Sequence, residues 1–393
     1  MKKMFCIIII FCCFLTCVHT VNTDRICKAE PTDTEIEEAL TKQTEQQIKA
    51  LDTSKLEETF ENINFTNESF SDFLNEIISG NLPLNFESIL NLIKTYFTAN
   101  LNEFISFAIS IILICFLSSL FNNLQSDKAS RGMGDTVSIF FLVVLISIIS
   151  YRVIDSINES VGVVNKIGSV LNSAFPIILA LLVSMGATQT SVIFKPSVVV
   201  FTNVILKIFS SVITTLIIAY FICTCLGNIS SNFKLNKIKT FIASLMKTII
   251  GIVFTIFMAF LSIKGITSAT ADGISIKTTK YAIKSYVPIV GGYISDGFEI
   301  FKAGSLLVKN SIGIVCLLII FFVCFKLVIN LILMNLCLKL ASGISEPFSS
   351  PNLNNFISGV SDVYKYLLAT ILVVFMMSFI FVILLILSAT NIF

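Results

Sequence analysis

The sequence predicts an all-α polytopic membrane protein with about seven transmembrane helices, in a range of six to eight, and with re-entrant or amphipathic segments. Of its 393 residues, 55% are hydrophobic and 13% are charged, whereas soluble domains carry about 25% charged residues. Long charge-free runs recur from residue 104 onward. An export signal and a small acidic helical extracytoplasmic head are expected before this membrane body.

The composition also excludes several classes of function. His19 is the one histidine of the chain, and tryptophan is absent. Neither a Ser-His-Asp triad nor a site of paired histidines therefore fits the body. The formal net charge of +2 is too small for a nucleic-acid reader. We expect no catalytic residues, no metal site and no cofactor.

Residues 1–20 are predicted to be a signal peptide. Lys2 and Lys3 form a basic start, and residues 4–18 are free of charge. That apolar run is too short to span a bilayer comfortably, which is typical of export signals. Export would place the following segment outside the cytoplasm, whether or not the signal is cleaved.

Residues 21–103 form the acidic extracytoplasmic head. They hold 16 Asp or Glu against 6 Lys or Arg, a net charge of −10. Apolar residues recur at helical spacing, a second helix is predicted over 70–79, and helical periodicity resumes over 85–97. The head is either a docking surface for partners or a loosely packed spacer.

Residues 104–393 form the polytopic membrane domain. They hold 19 Lys or Arg against 9 Asp or Glu. A run of 23 residues reaches about 35 Å as a helix, enough for a hydrocarbon core of about 30 Å. Charge-free runs predict spans near 104–126, 136–154, 167–186, 197–226, 246–263, 310–338 and 366–390.

The orientation of these spans conflicts with the distribution of lysines. With the head outside and seven spans, the lysine-rich loop 234–247 would also lie outside, against the positive-inside rule. The conflict disappears if residues 167–186 form a re-entrant hairpin broken at Pro176. An internal match favours this hairpin, because the sequence from Phe175 to Ile177 resembles that from Val287 to Ile289. A chance match in an Ile-rich chain is the alternative.

Residues 262–313 are the densest polar cluster of the body, and they are the predicted functional segment. The segment is too polar to span and too rich in glycine for one long helix. It is either a surface loop, or a re-entrant element that lines a polar path or contacts another subunit. Lys326 is a separate candidate, as an intramembrane charge that is buried within an apolar run and either paired or snorkelling to the interface. The candidate residues of the segment are Gly265, Asp272, Gly273, Lys280, Pro288, Gly291, Asp296 and Lys309.

These residues resemble the stage III sporulation protein AE family. The resemblance is carried by the run from Ser262 through Pro288 to Gly313, and by Phe175-Pro-Ile with Lys195-Pro196 in the first half. It implies a multi-pass protein of the mother-cell membrane around the forespore, in a channel-like, secretion-like complex needed for endospore development. The implied partners, besides the lipid bilayer, are other membrane proteins of the stage III sporulation A operon, ring-forming proteins and their ATPase. Indirectly, they include the forespore-side stage II sporulation protein Q.

Other functions remain alternatives to a channel component. The chain could be a generic transport permease or a non-conducting scaffold subunit of the same complex. An intramembrane enzyme is disfavoured, because the sequence has neither His-Glu-x-x-His nor Gly-x-Ser-x-Gly. The resemblance does not identify a cargo.

Overall fold

Long apolar runs fold into helices because a chain in lipid must satisfy its backbone hydrogen bonds within each segment. The computed structural model describes residues 42–44, 46–48, 53–61, 69–79, 86–124, 131–229, 235–286 and 290–388. These residues contain helices and no strand, so the chain is an all-α polytopic membrane protein. The predicted signal peptide, residues 1–20, lies outside the described residues.

The first described helices belong to the head. α1 is Ser54–Glu61 and α2 is Phe70–Ile78, which confirms the helix predicted over 70–79. Ser69 caps α2, because its hydroxyl accepts a hydrogen bond from the backbone N–H of Asp72. Phe60 packs edge-on against Phe70, with ring centroids 5.5 Å apart. The two helices therefore share a small aromatic core.

The remaining helices form the membrane body. α3 is Phe86–Leu124, α4 is Arg131–Ser184 and α5 is Thr188–Val200; the π-helical turns Phe201–Ile205 and Ile208–Ile213 lead into α6, Thr214–Ile229; α7 is Asn236–Tyr286, α8 is Val290–Ser345 and α9 is Pro351–Leu387. Six helical stretches in the described residues are long and apolar enough to cross a membrane. They are 101–122, 136–184, 190–229, 236–262, 300–345 and 351–387.

α4 corrects the prediction of a hairpin broken at Pro176. The predicted spans 136–154 and 167–186 lie on one helix of 54 residues, which continues through Pro176. A proline removes one backbone hydrogen bond, and packed neighbouring helices compensate for that loss. The helix instead ends in a turn at Gly186, whose φ of 84° suits glycine.

Contacts between helices fix their relative directions. α8 and α9 are antiparallel, since Asn335 donates to the carbonyl of Ser361 over 2.6 Å while Phe321 lies beside Phe375. α3 runs parallel to α8, because the Cys337 thiol donates to Phe104 O and Phe116 contacts Phe348. Direction thus alternates along the chain, as six consecutive crossings require.

The turn between α6 and α7 divides the body into two levels. Lys239 lies 5.3 Å from the Tyr220 ring, which in turn packs on Tyr366. α3, α4, α8 and α9 continue beyond this level, where Asn122 donates to Ser138. The head lies at the opposite end, where Gln47 donates to Ser305 Oγ over 2.9 Å. A second apolar bundle therefore extends on the side away from the head.

Candidate functional site

A polar cleft lies between α3, α4 and α8, at the level of the turn between α6 and α7. Its volume is about 330 Å³, which is large enough to hold several waters. We call it the charged cleft. Its polar lining is Glu103 of α3, Arg152, Asp155, Ser156 and Glu159 of α4, and Lys326 and Asn330 of α8.

Helical spacing brings these side chains to one place. Arg152, Asp155 and Glu159 follow one another at intervals of three and four, so they occupy one face of α4. Lys326 and Asn330 are four residues apart on α8. The antiparallel packing of α4 on α8 then turns the two polar faces toward each other.

An ion pair joins α3 to α4 in the charged cleft. Arg152 Nη2 lies 2.6 Å from Glu103 Oε1, and both side chains remain partly exposed. The guanidinium also lies 5.8 Å from the centroid of the Phe107 ring, within the range of a cation–π contact. Arg152 therefore binds α3 both through its charge and through its planar face.

Hydrogen bonds join α4 to the other two helices. Asn330 Nδ2 donates to Glu159 Oε2 over 3.0 Å, which connects α8 to α4. Ser156 Oγ donates to the Tyr364 hydroxyl of α9 over a long 3.4 Å. The charged cleft thus contacts four helices, and a shift of one helix would change polar contacts of the others.

The charges of the cleft nearly cancel. Three carboxylates face two cations, Arg152 and Lys326, so the sum is −1. No group of His, Cys, Asp and Glu in the described part of the chain is arranged to hold a metal ion. The cleft is suited to hold water. Its carboxylates and cations belong to three helices, so they can change ion-pair partners when one helix shifts.

Lys326 was predicted to be buried, with its charge either paired or reaching the interface. Its side chain is instead exposed and lines the charged cleft. The apolar run around it is buried on the side that faces α9, and Lys326 lies on the opposite side. Its ammonium therefore reaches a polar environment, as expected for an intramembrane charge.

Lys309 is the predicted site residue that the structure buries completely, with 0% of the residue exposed. Its ammonium donates to the carbonyl oxygens of Ile386, at 2.8 Å, and of Ser388. These carbonyls lie at the end of α9, where the last turn of a helix leaves oxygens without intrahelical donors. Lys309 therefore caps α9 from α8.

The predicted irregular backbone of residues 262–313 is wrong for most of the segment. α7 continues as a helix through Gly265 and Gly273 to Tyr286, and α8 begins at Val290. Glycine weakens a helix by only about 1 kcal/mol, so flanking apolar turns can maintain the helix. Pro288 and the matched run 287–289 lie outside the described residues. The side chains of Asp272, Lys280 and Asp296 and the surroundings of Gly291 are also outside the described part, so the role of these residues stays a prediction.

Four charged residues of the cleft were not predicted as a site: Glu103, Arg152, Asp155 and Glu159. The predicted spans 136–154 and 167–186 left Asp155 and Glu159 in a connection and Arg152 near the end of a span, and Glu103 lay at the boundary of the head. A helical plot of residues 148–163 would have shown Arg152, Asp155 and Glu159 on one face of the helix. That pattern was the available signal.

Comparisons with known proteins identify relatives. The family model of stage III sporulation protein AE matches residues 68–390. The chain is also similar to stage III sporulation protein AE of Bacillus subtilis (strain 168). The two are 21% identical over 316 residues, which cover 79% of this chain and 78% of that protein. No solved structure matches the chain.

Proposed function

The chain belongs to the stage III sporulation protein AE family, and from this premise we propose that it is a membrane component of a channel-like complex between mother cell and forespore. Membership of the family supports a role in sporulation. The observation that best supports the proposal is the extent of the family match, which includes every described membrane helix from α3 to α9. The complex would sit in the mother-cell membrane and support forespore development.

The number of apolar helices supports an orientation for this role. With the head outside and six crossings, the turn between α6 and α7 lies on the cytoplasmic side. Lys237 and Lys239, near the start of α7, then lie on the cytoplasmic side, in agreement with the positive-inside rule. Because α4 contains two of the predicted spans in one helix, the number of spans falls from seven to six. The conflict with the positive-inside rule then disappears without a re-entrant hairpin.

The partners follow from this orientation and from the family. The acidic head would meet ring-forming proteins between the two membranes and, through them, the stage II sporulation protein Q of the forespore. The cytoplasmic side would meet the ATPase, and the apolar outer faces would meet other membrane proteins of the operon. Gln47 attaches the head to α8, so a load on the head reaches the helix that lines the charged cleft.

We assign the charged cleft the role of a movable joint in this assembly. Its ion pair joins α3 to α4, and its amide–carboxylate hydrogen bond joins α8 to α4. Partly exposed pairs of this kind contribute about 0–1 kcal/mol each, so they can exchange partners at low cost. The chain itself would perform no chemical reaction.

Deletion in the native spore former tests the proposal. We expect engulfment to be completed, late forespore gene expression to fail, and an intact copy to restore it. Retrieval of the tagged chain from sporulating membranes should recover the ATPase and the ring-forming proteins. Normal spore yield after deletion would contradict the proposal.

A second experiment separates a conduit from a scaffold. Asp272→Asn keeps the size of the side chain and removes its charge, and Ser275→Ala on the same helix serves as a control. A conduit predicts that Asp272→Asn blocks spore maturation while the complex still assembles. Loss of assembly together with function would favour the scaffold.

A further inference from the structure

Residues 160–229 carry charges of a single sign. They contain Lys166, Lys195 and Lys207 and no Asp or Glu. All three lysine side chains are exposed, and none forms an ion pair with the described part of the chain. This stretch therefore presents cations that have no counterion among the described residues.

Contacts with the neighbouring helix α7 show at which depth Lys207 lies. Phe257 of α7 packs on Phe201 at 5.1 Å, and Lys239 packs on Tyr220. Between these two contacts, Lys207 lies about level with Gly251, near the middle of the apolar stretch 236–262.

Lys166 and Lys195 lie at different depths. A Cβ at Gly168 would lie 3.4 Å from the Leu206 side chain, so Lys166 lies about as deep as Lys207. Lys195 lies about twelve residues before Lys207, at the head-side end of α7. Lys195 therefore lies near the membrane interface and serves as the control for the two deep lysines.

Each of the two deep lysines has other exposed polar side chains near it on its own helix. Exposed amides and hydroxyls accompany them at helical spacing on α4 and on the π-helical turns. We call this set the polar seam: Asn165, Lys166, Ser169 and Asn172 of α4, with Asn203, Lys207 and Ser211 of the π-helical region. π-Helical turns flank Lys207 on both sides, and such turns are frequent at functional sites.

Lipid is an unsuitable environment for the polar seam. A lysine at the bilayer centre costs about 2.5–3.5 kcal/mol on insertion scales. At mid-depth the interface is about 15 Å away, which is further than a lysine side chain extends. The neighbouring asparagines cannot reach the interface either. With α7 across the bilayer, the seam must face water or protein.

We propose that the polar seam lines a water-filled path for small anions. Unpaired ammonium groups in a low-dielectric surrounding attract anions, and rings of lysine or arginine select anions in known pores. A single chain provides one wall, and a second copy would supply the other, with water separating the like charges. The inference rests on the proposed transport role and adds a substrate class to it.

Flux through vesicles of the purified full chain tests the path. Chloride efflux from phosphatidylcholine and phosphatidylglycerol vesicles, measured with an internal chloride-sensitive dye, should exceed efflux from protein-free vesicles. The double substitution Lys166→Gln and Lys207→Gln should lower it about tenfold, because two charges that attract the anion are lost. Arginine at both positions should retain it, and Lys195→Gln should leave it unchanged.

Cysteine labelling tests the environment of the seam independently of flux. Lys207→Cys should react with a membrane-impermeant thiosulfonate. Ile252→Cys is the control, because that side chain of α7 is also exposed and lies at the same depth. It lies outside the polar seam, so its cysteine should not react. Reaction at both positions would put this level outside the bilayer and overturn the proposal. Protection at both positions, or absence of wild-type flux, would also overturn it. A sporulation defect on deletion would then still support the wider proposed function.

Discussion

The charged cleft and the polar seam satisfy their charges in different ways. In the charged cleft, Arg152 lies against Glu103, and Glu159 accepts a hydrogen bond from Asn330. In the polar seam, Lys166 and Lys207 have no carboxylate partner in the described residues. Both regions lie on α4, about two turns apart.

This difference separates two uses of charge in a membrane protein. Paired charges hold helices together, and their loss should appear as lower stability or a changed helix arrangement. Unpaired charges add no contact, so their loss should change transport while stability stays constant. Lys309 provides a third case, because it is buried and bonded to backbone carbonyls without a carboxylate.

The largest expected effect is the loss of the Lys309 cap. Lys309→Met keeps the length of the side chain and removes its donors, which leaves the carbonyls of Ile386 and Ser388 buried without a partner. Each lost charge-assisted hydrogen bond contributes about 1.5–3 kcal/mol, partly offset by the removal of a buried charge, so we expect about 3 kcal/mol. Thermal unfolding in detergent measures this change.

Lys207→Met is the matched control for Lys309→Met. It makes the same chemical change at an exposed lysine that has no ion-pair partner in the described residues, so the unfolding temperature should stay the same or rise. Equal destabilisation by both substitutions would contradict the distinction between paired and unpaired lysines.

Packing near Lys309 gives the next largest effect. Gly313 lies one turn further along α8, and a Cβ there would come within 2.4 Å of Ile386 Cγ1. Gly313→Ala should therefore push α9 away and cost about 2 kcal/mol through overpacking. Gly343→Ala on the same helix has open space around it and should be neutral or slightly stabilising. A neutral Gly313→Ala would mean that α8 and α9 are held mainly by the cap.

The sequence was sufficient to predict the helical membrane class and the head helix Phe70–Ile78. These features follow from apolar periodicity and local caps, which are properties of neighbouring residues. The prediction of separate spans over 136–154 and 167–186 failed for a physical reason. Charged residues between two apolar runs indicate an interruption of the helix only if they lie in a loop. Asp155 and Glu159 line a cleft inside the helix bundle instead, so the helix continues past them.

The site was less predictable than the fold. Lys309 was identified as a candidate, but its contact with Ile386 joins residues 77 positions apart and depends on the packing of α8 on α9. The charged cleft depends on three helices from distant parts of the chain. Sequence periodicity gives the face of each helix, and only packing decides which faces meet.

Charge reversal in the cleft should have a smaller effect on stability than the changes near Lys309. Arg152→Glu places a fourth carboxylate in the cleft and should cost about 1 kcal/mol, because the pair is partly exposed. Spore yield should fall, and the exchanged pair of Glu103→Arg with Arg152→Glu should recover most of it. Failure of the exchange, with normal protein abundance, would show that the orientation of the pair matters and not only its presence.

The smallest expected change in stability is at Lys326. Lys326→Leu removes a charge from the charged cleft while its aliphatic part is retained, so stability should change by less than about 0.5 kcal/mol. Function should nevertheless decrease, because the sum of charges in the cleft changes from −1 to −2 and the remaining carboxylates lose a cation. Spore counts and immunoblots of the membrane fraction measure the two effects separately. Lys339→Leu on the exposed part of the same helix is the control. If Lys326→Leu and Lys339→Leu both leave spore counts unchanged, the charged cleft is a passive feature of packing, and the polar seam remains as the functional region of α4.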